Sequence, residues 1–172
     1  MPIHLNDLDV AQSTSGLKSV LIVPCVMCPS VTVAAREQKP FMRLFANPFV
    51  SAPFERHVEL LRERLQKQGV TSEVFKSRWY LNWFLCMWSE RRRKKLQRRA
   101  RDFEAVLVLG CDSATETVSA AIQSSDCKLI EGMEACGLTN AKLKLHWPAN
   151  VSFEEAKTIP MPRQAKEHSM AG

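Results

Sequence analysis

Two short apolar runs most strongly constrain how this chain can fold. Residues 20–23 and 105–109 contain only aliphatic side chains. They lack the alternation of apolar and polar residues that marks a strand with one face in water. Such runs are typical of strands buried on both faces, as in a parallel sheet covered by helices.

Further strands are predicted at residues 71–75 and 127–130, with helices between the strands. The clearest helix begins near Ser51 and Pro53, which can cap and start it, and carries apolar residues at helical spacing as far as Leu65. Strands that alternate with helices predict an α/β fold. We expect a flavodoxin-like open, mostly parallel sheet with flanking helices, in the strand order second, first, third, fourth.

Length and composition fit a single globular domain. The chain has 172 residues, of which 45% are hydrophobic and 24% are charged, an ordinary composition for one folded unit. We predict a flexible N-terminal lead-in over residues 1–16 and an α/β metal-binding domain over 17–155. A loose C-terminal tail is predicted over 156–172.

Several function classes lack sequence support. There is no glycine-rich phosphate-binding motif, and the apolar runs are interrupted and shorter than a membrane-spanning helix needs. The first residues do not resemble a signal peptide, so we expect a cytoplasmic protein. In a reducing compartment, closely spaced cysteines favour metal binding or redox chemistry over structural disulfides.

The positive charge is concentrated in one segment. From Arg91 to Arg101 the chain has eight bases and no acid; without those eight, 16 bases stand against 18 acids. Aromatic residues, including Trp79, Trp83 and Trp88, precede the bases as a block and do not alternate with them. This favours a protein partner, or a simple solvated helix face, over nucleic acid or a membrane surface.

Four cysteines are expected at one edge of the sheet. Cys25 and Cys28 follow the first strand, Cys111 follows the third, and the ends of neighbouring parallel strands are roughly 5 Å apart. Cys86 lies in the aromatic segment after the second strand, which ends at the same edge. Four thiols near one point suit an iron–sulfur cluster or a closed zinc site.

Other interpretations stay open at this stage. A single free cysteine is usually a small packing residue, and we expect this for Cys127 and Cys136. Cys86 taken alone would also be core. Cys25 and Cys28 could instead form a thioredoxin-type dithiol, although no suitable proline segment is found before the third strand. The histidines form no convincing acid–base group, so catalysis by this chain alone is not indicated.

Three motifs resemble one known family. They are Pro24-Cys25-Val26-Met27-Cys28, Leu85-Cys86-Met87-Trp88-Ser89-Glu90 and the segment Leu109-Gly110-Cys111-Asp112 with the following Thr115-Glu116-Thr117-Val118. In order and spacing the chain resembles, over about residues 18–135, the MetV-type iron–sulfur/zinc subunit of methylenetetrahydrofolate reductase. It differs in having Thr32 where the family has a further cysteine, and in lacking a cysteine-rich C-terminal segment.

The resemblance implies a cofactor and a role. It implies one 4Fe-4S cluster held by Cys25, Cys28, Cys86 and Cys111. It also implies an electron-transfer or accessory subunit of a larger redox complex in one-carbon metabolism. The partner would bind through Trp79, Trp83, Trp88 and the basic segment from Arg91 to Arg101. A structural zinc-binding assembly module and a thiol-disulfide oxidoreductase using Cys25 and Cys28 are the alternatives.

Overall fold

The computed structural model describes residues 2–43, 51–76, 84–123, 125–147 and 150–161. Trp79 and Trp83 lie outside these ranges. The helices are α1 (Ala11–Thr14), α2 (Met27–Glu37), α3 (Ala52–Lys67), α4 (Glu90–Ala100) and α5 (Asp112–Ile122), and a 3-10 turn spans Leu85–Met87. The strands are β1 (Ile3–Asp7), β2 (Ser19–Pro24), β3 (Met42–Arg43), β4 (Thr71–Val74), β5 (Ala105–Leu109), β6 (Lys128–Glu131), β7 (Met133–His146) and β8 (Asn150–Pro160).

Four of the strands form a parallel sheet in the order β4-β2-β5-β6. This confirms the α/β class and the order predicted for these four strands. All five residues of β5 are buried, as are the last five of β2. Two central strands covered on both faces explain why the sequence has aliphatic residues there without alternation.

The helices cover the parallel sheet in two layers. Helix α2 packs against α3, and α4 packs against α5. The first pair lies on the connection from β2 to β4, whereas the second lies on the connections from β4 to β5 and from β5 to β6. Because right-handed crossovers are the rule, connections in opposite directions place the two pairs on opposite faces of the sheet.

The predicted helix start at Ser51 is confirmed in position. Ser51 has an extended backbone at the N-cap of α3, and Pro53 follows in the first turn, where its missing N–H costs nothing. The Ser51 hydroxyl is buried and makes no cap hydrogen bond. Gly69, with φ of +78°, lies just beyond the other end of the helix, in a left-handed conformation that favours glycine.

A second, antiparallel sheet was not predicted from the sequence. Its strand order is β1-β7-β8-β3. Residues 3–7, expected to be part of a flexible lead-in, form β1, and the expected tail from residue 156 continues β8 to Pro160. Both predictions are wrong for these residues because pairing with β7 fixes their backbone. Leu5 is buried in the core, and its N–H donates to Thr32 Oγ1.

The outer half of the β7–β8 hairpin extends into solvent. Leu143 and Leu145 are exposed on one face, and Trp147 follows them at the turn. Side chains alternate between faces, and the other face carries the ion pairs Lys142–Glu155 and Lys144–Glu154. Pairing between β7 and β8, more than packing, therefore defines this part of the chain.

Among the described residues, no helix has both the length and the apolar character to cross a bilayer.

Burial predicts where this fold is sensitive to truncation. Leu107 is 0% exposed in the centre of β5, whereas Leu143 is 67% exposed on the hairpin. We expect Leu107→Ala to lower the free energy of unfolding by about 2–5 kcal/mol through lost contacts and a cavity. Leu143→Ala should change it by less than about 0.5 kcal/mol. Urea denaturation of both variants tests this, and equal losses would contradict the burial of β5.

Candidate metal centre

Two of the predicted cysteines lie side by side at the carboxyl ends of neighbouring strands. Cys25 directly follows β2, and Cys111 follows β5 after Gly110. The strands pair up to Pro24 and Leu109, and the Cys25 N–H donates to the Leu109 carbonyl at 2.8 Å. The predicted meeting of these two strand ends is confirmed, and both cysteines are buried.

Gly110 makes this close approach possible. A Cβ on Gly110 would lie 2.7 Å from the Ala114 Cβ and 3.3 Å from the Cys25 Cβ. The first distance is too short for two carbon atoms without movement of α5. The absence of a side chain at position 110 therefore lets the start of α5 lie directly against Cys25.

Cys28 lies in the first turn of α2, after the N-cap residue Val26, and is half-buried. The two residues between the cysteines therefore connect Cys25 at the strand end to Cys28 inside the helix. A backbone hydrogen bond from Ile3 acts on the Cys28 sulfur and favours its thiolate form. The antiparallel sheet, through β1, therefore reaches the cysteine edge of the parallel sheet.

Cys86 lies in the exposed 3-10 turn. The neighbours Leu85 and Trp88 are buried and hold the turn against the domain, where it packs on α5. A backbone hydrogen bond from Leu85 acts on the Cys25 sulfur. The turn therefore lies beside Cys25, and Cys86 is not the core residue that the aromatic segment alone would indicate.

Burial and mutual repulsion suppress ionisation of the inner thiols. Burial, with added repulsion from the charges of Cys28 and Cys111, raises the pKa of Cys25 to about 12. Burial likewise raises the pKa of Cys28, with added repulsion from Cys111 and Cys86. Each of the four sulfurs therefore lies within electrostatic range of at least one other, and Cys28 interacts with all three.

The chemistry of the donor set fits a thiolate-held metal, but the side chains do not form a closed cage. Within the described ranges, no group of three or more His, Cys, Asp or Glu side chains is arranged to hold a metal ion. Binding would require the sulfurs to move closer together than in this structure. The exposed Cys86 turn has the most room to do so.

The other two cysteines lie away from this edge. Cys127 directly precedes β6, at the opposite end of the parallel strands, and is half-buried. Cys136 lies in β7, and its thiol donates to the His4 carbonyl at 3.4 Å. Neither is placed to join the four cysteines at the carboxyl edge.

The described histidines are held singly by neighbouring polar groups. His4 Nδ1 lies 3.0 Å from Thr139 Oγ1, and His57 Nε2 lies 3.4 Å from a carboxylate oxygen of Asp7. His146 lies 3.3 Å from Glu154 on the hairpin. His4 and His57 both feel the charge of Arg36, whereas His146 lies on the hairpin, and we assign none of these contacts a catalytic role.

Sequence reasoning missed the backbone donors of the site. The N–H groups that act on the sulfurs come from Ile3 in β1 and from Leu85 and Met27. Side-chain identity carries no signal for such donors, since every residue except proline has one. Residue 3 lies near Cys28 because β1 packs against α2, a long-range contact that no local pattern in the sequence indicates.

Thiol alkylation tests this arrangement in the metal-free protein. The thiolate is the reactive form, so a pKa of about 12 leaves roughly one Cys25 sulfur in 100,000 reactive at pH 7. We expect iodoacetamide to modify the exposed Cys86 at least about 100-fold faster than Cys25. The Cys25 rate should keep rising with pH beyond pH 9.

Mass spectrometry of peptides after timed labelling measures both rates. A Cys86→Ser variant is the matched control, because it removes the fast site and leaves the slow one. Equal modification of Cys25 and Cys86 at pH 8 would contradict the burial of Cys25.

No family model, curated protein or solved structure matches this chain.

Proposed function

We propose that this chain is an iron–sulfur protein whose 4Fe-4S cluster would be held by Cys25, Cys28, Cys86 and Cys111. The observation that carries the proposal is the approach of these four thiols, from three separate chain segments, to one edge of the parallel sheet. When bound, such a cluster supplies one-electron transfer, with a potential set by burial and by hydrogen bonds to the sulfurs.

The protein's own residues would tune that site. Helices α2 and α5 begin at the cysteine edge, and the first turn of α2 contains no acidic residue. The positive ends of helix dipoles favour bound anions, among them thiolate-ligated metal centres. The backbone donors of Ile3, Met27 and Leu85 would stabilise the sulfur charges in the same way.

The thiol-disulfide alternative receives less support. A catalytic dithiol needs a nucleophilic sulfur with a lowered pKa, exposed to its substrate. Cys25 is buried with its pKa raised to about 12, and the pKa of Cys28 is raised too. Both shifts oppose the role of an attacking thiolate.

A closed zinc site would use the same four sulfurs and is the second candidate. Zinc takes four thiolates in tetrahedral geometry and would make this chain a structural assembly module. The four cysteines do not show which metal binds, because both zinc and iron–sulfur clusters accept four thiolate ligands. The metal content must be measured.

We further propose that the chain acts as a cytoplasmic accessory subunit of a redox complex, in one-carbon metabolism if the family resemblance holds. The strand order of the parallel sheet supports a flavodoxin-like core for such a subunit. At the cysteine turn, Phe84 is 44% and Met87 is 77% exposed beside the exposed Cys86. A partner that covered this turn would shield the cluster from water.

One residue of the predicted partner surface is buried in the isolated chain. Trp88 is only 4% exposed and packs against Phe75, with ring centroids 5.7 Å apart. Its burial does not support a contact with a partner, and that contact stays a prediction. Trp79 and Trp83 lie outside the described residues, and the basic segment from Arg91 to Arg101 stays a proposed docking surface.

Anaerobic purification with metal analysis tests the cofactor. We expect a brown protein with broad absorbance at about 400 nm and about four irons per chain. Cys86→Ala should lose or degrade the cluster, although Cys86 is exposed and its loss leaves the core intact. Cys136→Ala is the matched control and should keep full iron content.

The metal content and the variants distinguish the iron–sulfur, zinc and oxidoreductase proposals. One zinc per chain and no colour would favour the structural zinc module and overturn the iron–sulfur proposal. Full cluster occupancy in Cys86→Ala would remove Cys86 from the ligand set. Retention of thiol-disulfide activity in a Cys86→Ala, Cys111→Ala double variant would favour the oxidoreductase.

Metal affinity should depend steeply on pH. Since burial raises the pKa values of Cys25 and Cys28, both are protonated in the empty folded site near neutral pH, and binding must displace both protons. We expect the affinity for cobalt(II), measured by its thiolate absorption, to rise at least about 100-fold per pH unit from about pH 6.5 to 7.5, since these two protons alone give that slope. A pH-independent affinity would show that these thiols are not ligands.

A further inference from the structure

A cleft of about 710 Å³ lies beside β4. It is bordered by β4 and by parts of helices α3 and α4. Five bases and two acids line it: Arg62, Lys76, Lys95, Arg98 and Arg99 against Glu73 and Asp102. The cleft therefore has an excess of positive charge, and its ligand should be anionic.

The two acids are already paired with a base within the cleft. Arg99 forms ion pairs with both Glu73 and Asp102. Among the described residues, no ion pair is formed by Lys76, Lys95 or Arg98. Lys95 instead lies over the ring of Phe75, 5.8 Å from its centroid. Three cations thus face the cleft without a carboxylate partner in the described chain.

The backbone of β4 also presents hydrogen-bonding groups to the cleft that no described strand uses. The N–H groups of Thr71 and Phe75 donate to β2 and its flank, at Lys18 and Ile22. Because these groups alternate in direction along a strand, those of Ser72 and Val74 point to the outer edge. In the part of the chain that the structure describes, no strand pairs with that edge.

Charges flank this open edge from both sides of the sheet. Arg62, which also pairs with Glu59 on its own helix, belongs to α3 in one helix layer, whereas Lys95 and Arg98 belong to α4 in the other. Successive side chains of a strand added to β4 would point alternately toward the two layers. In a bound segment with consecutive acidic residues, carboxylates would therefore point toward bases on both sides of the sheet. In a segment where acidic and basic residues alternate, carboxylates would point to one side only.

We propose that the β4–α4 cleft binds an extended acidic segment of a partner protein, which adds to the outer edge of β4 as a further strand. Main-chain hydrogen bonds to Ser72 and Val74 provide the pairing, and the flanking bases select for consecutive acidic residues. This mode of binding does not depend on a metal at the cysteine edge. It confines partner recognition to one face of the basic helix.

Peptide binding tests the proposal on the full chain. The probe is a fluorescent peptide of about eight residues with a central run of about four glutamates. Its control is the same peptide N-methylated throughout the acidic run, which keeps the charge and loses the backbone donors. We expect the control to bind at least about tenfold more weakly by fluorescence anisotropy at low salt.

Matched protein variants distinguish binding in the cleft from general attraction to the positive charge of the helix. Lys95→Glu with Arg98→Glu should weaken binding at least about tenfold, whereas Lys94→Glu with Arg101→Glu, which lie outside the face of the helix that lines the cleft, should weaken it less than about threefold. All four positions are exposed, so thermal melting should confirm that both variants fold. Hydrogen exchange at the Ser72 and Val74 amides should slow when the peptide binds.

Four results would overturn the proposal. These are no binding of the peptide at about 1 mM, equal binding of the N-methylated control, and equal weakening by the two double variants. The fourth is tighter binding of a single-stranded oligonucleotide through Lys95 and Arg98, which would assign the cleft to nucleic acid.

Discussion

The pairing of β2 with β5 is the interaction on which the rest of the structure depends. Both strands are buried along their paired length and lie at the centre of the parallel sheet. Their shared register brings Cys25 and Cys111 to the same edge and sets the start of α2 and α5 there. The helix layers and the cysteine turn then take their positions from these strands. A slip in this register would separate the sulfurs and uncover the core together.

Burial of the thiols at that edge disfavours their ionised form, and this decides which chemistry the site can perform. Cys25 and Cys28 are desolvated and repel each other's negative charge, so the folded apo protein favours neutral sulfur. A cation reverses this preference, because it compensates the thiolate charge at the place where water does not reach. The site is therefore poor as a nucleophile, and the metal that we propose would supply the compensating positive charge. This difference follows from burial and not from the Cys-x-x-Cys spacing, which both kinds of site share.

The sequence predicted those parts of the fold that local patterns determine. The strands of the parallel sheet, their order, and α3 with Ser51 and Pro53 at its start all follow from short-range periodicity and capping. The antiparallel sheet did not, since β1 is only five residues long and its partner β7 lies more than 120 residues further along the chain. Likewise, the sequence of the aromatic block did not indicate which of its rings point into the core. Trp88 is buried against Phe75, whereas the neighbouring Cys86 is exposed, because a single turn of 3-10 helix directs adjacent side chains to different sides.

The contribution of β1 to the cysteine edge has a consequence for the order of events during synthesis. Ile3 donates toward the Cys28 sulfur, but β1 is held in place by pairing with β7. Residues 133–146 are made after all four cysteines at the carboxyl edge. Until then β1 has only its contacts with α2, where Thr32 forms hydrogen bonds with Leu5 and Ile3. A nascent chain in which β7 is not yet made therefore lacks one of the two constraints that hold the Ile3 donor beside the Cys28 sulfur.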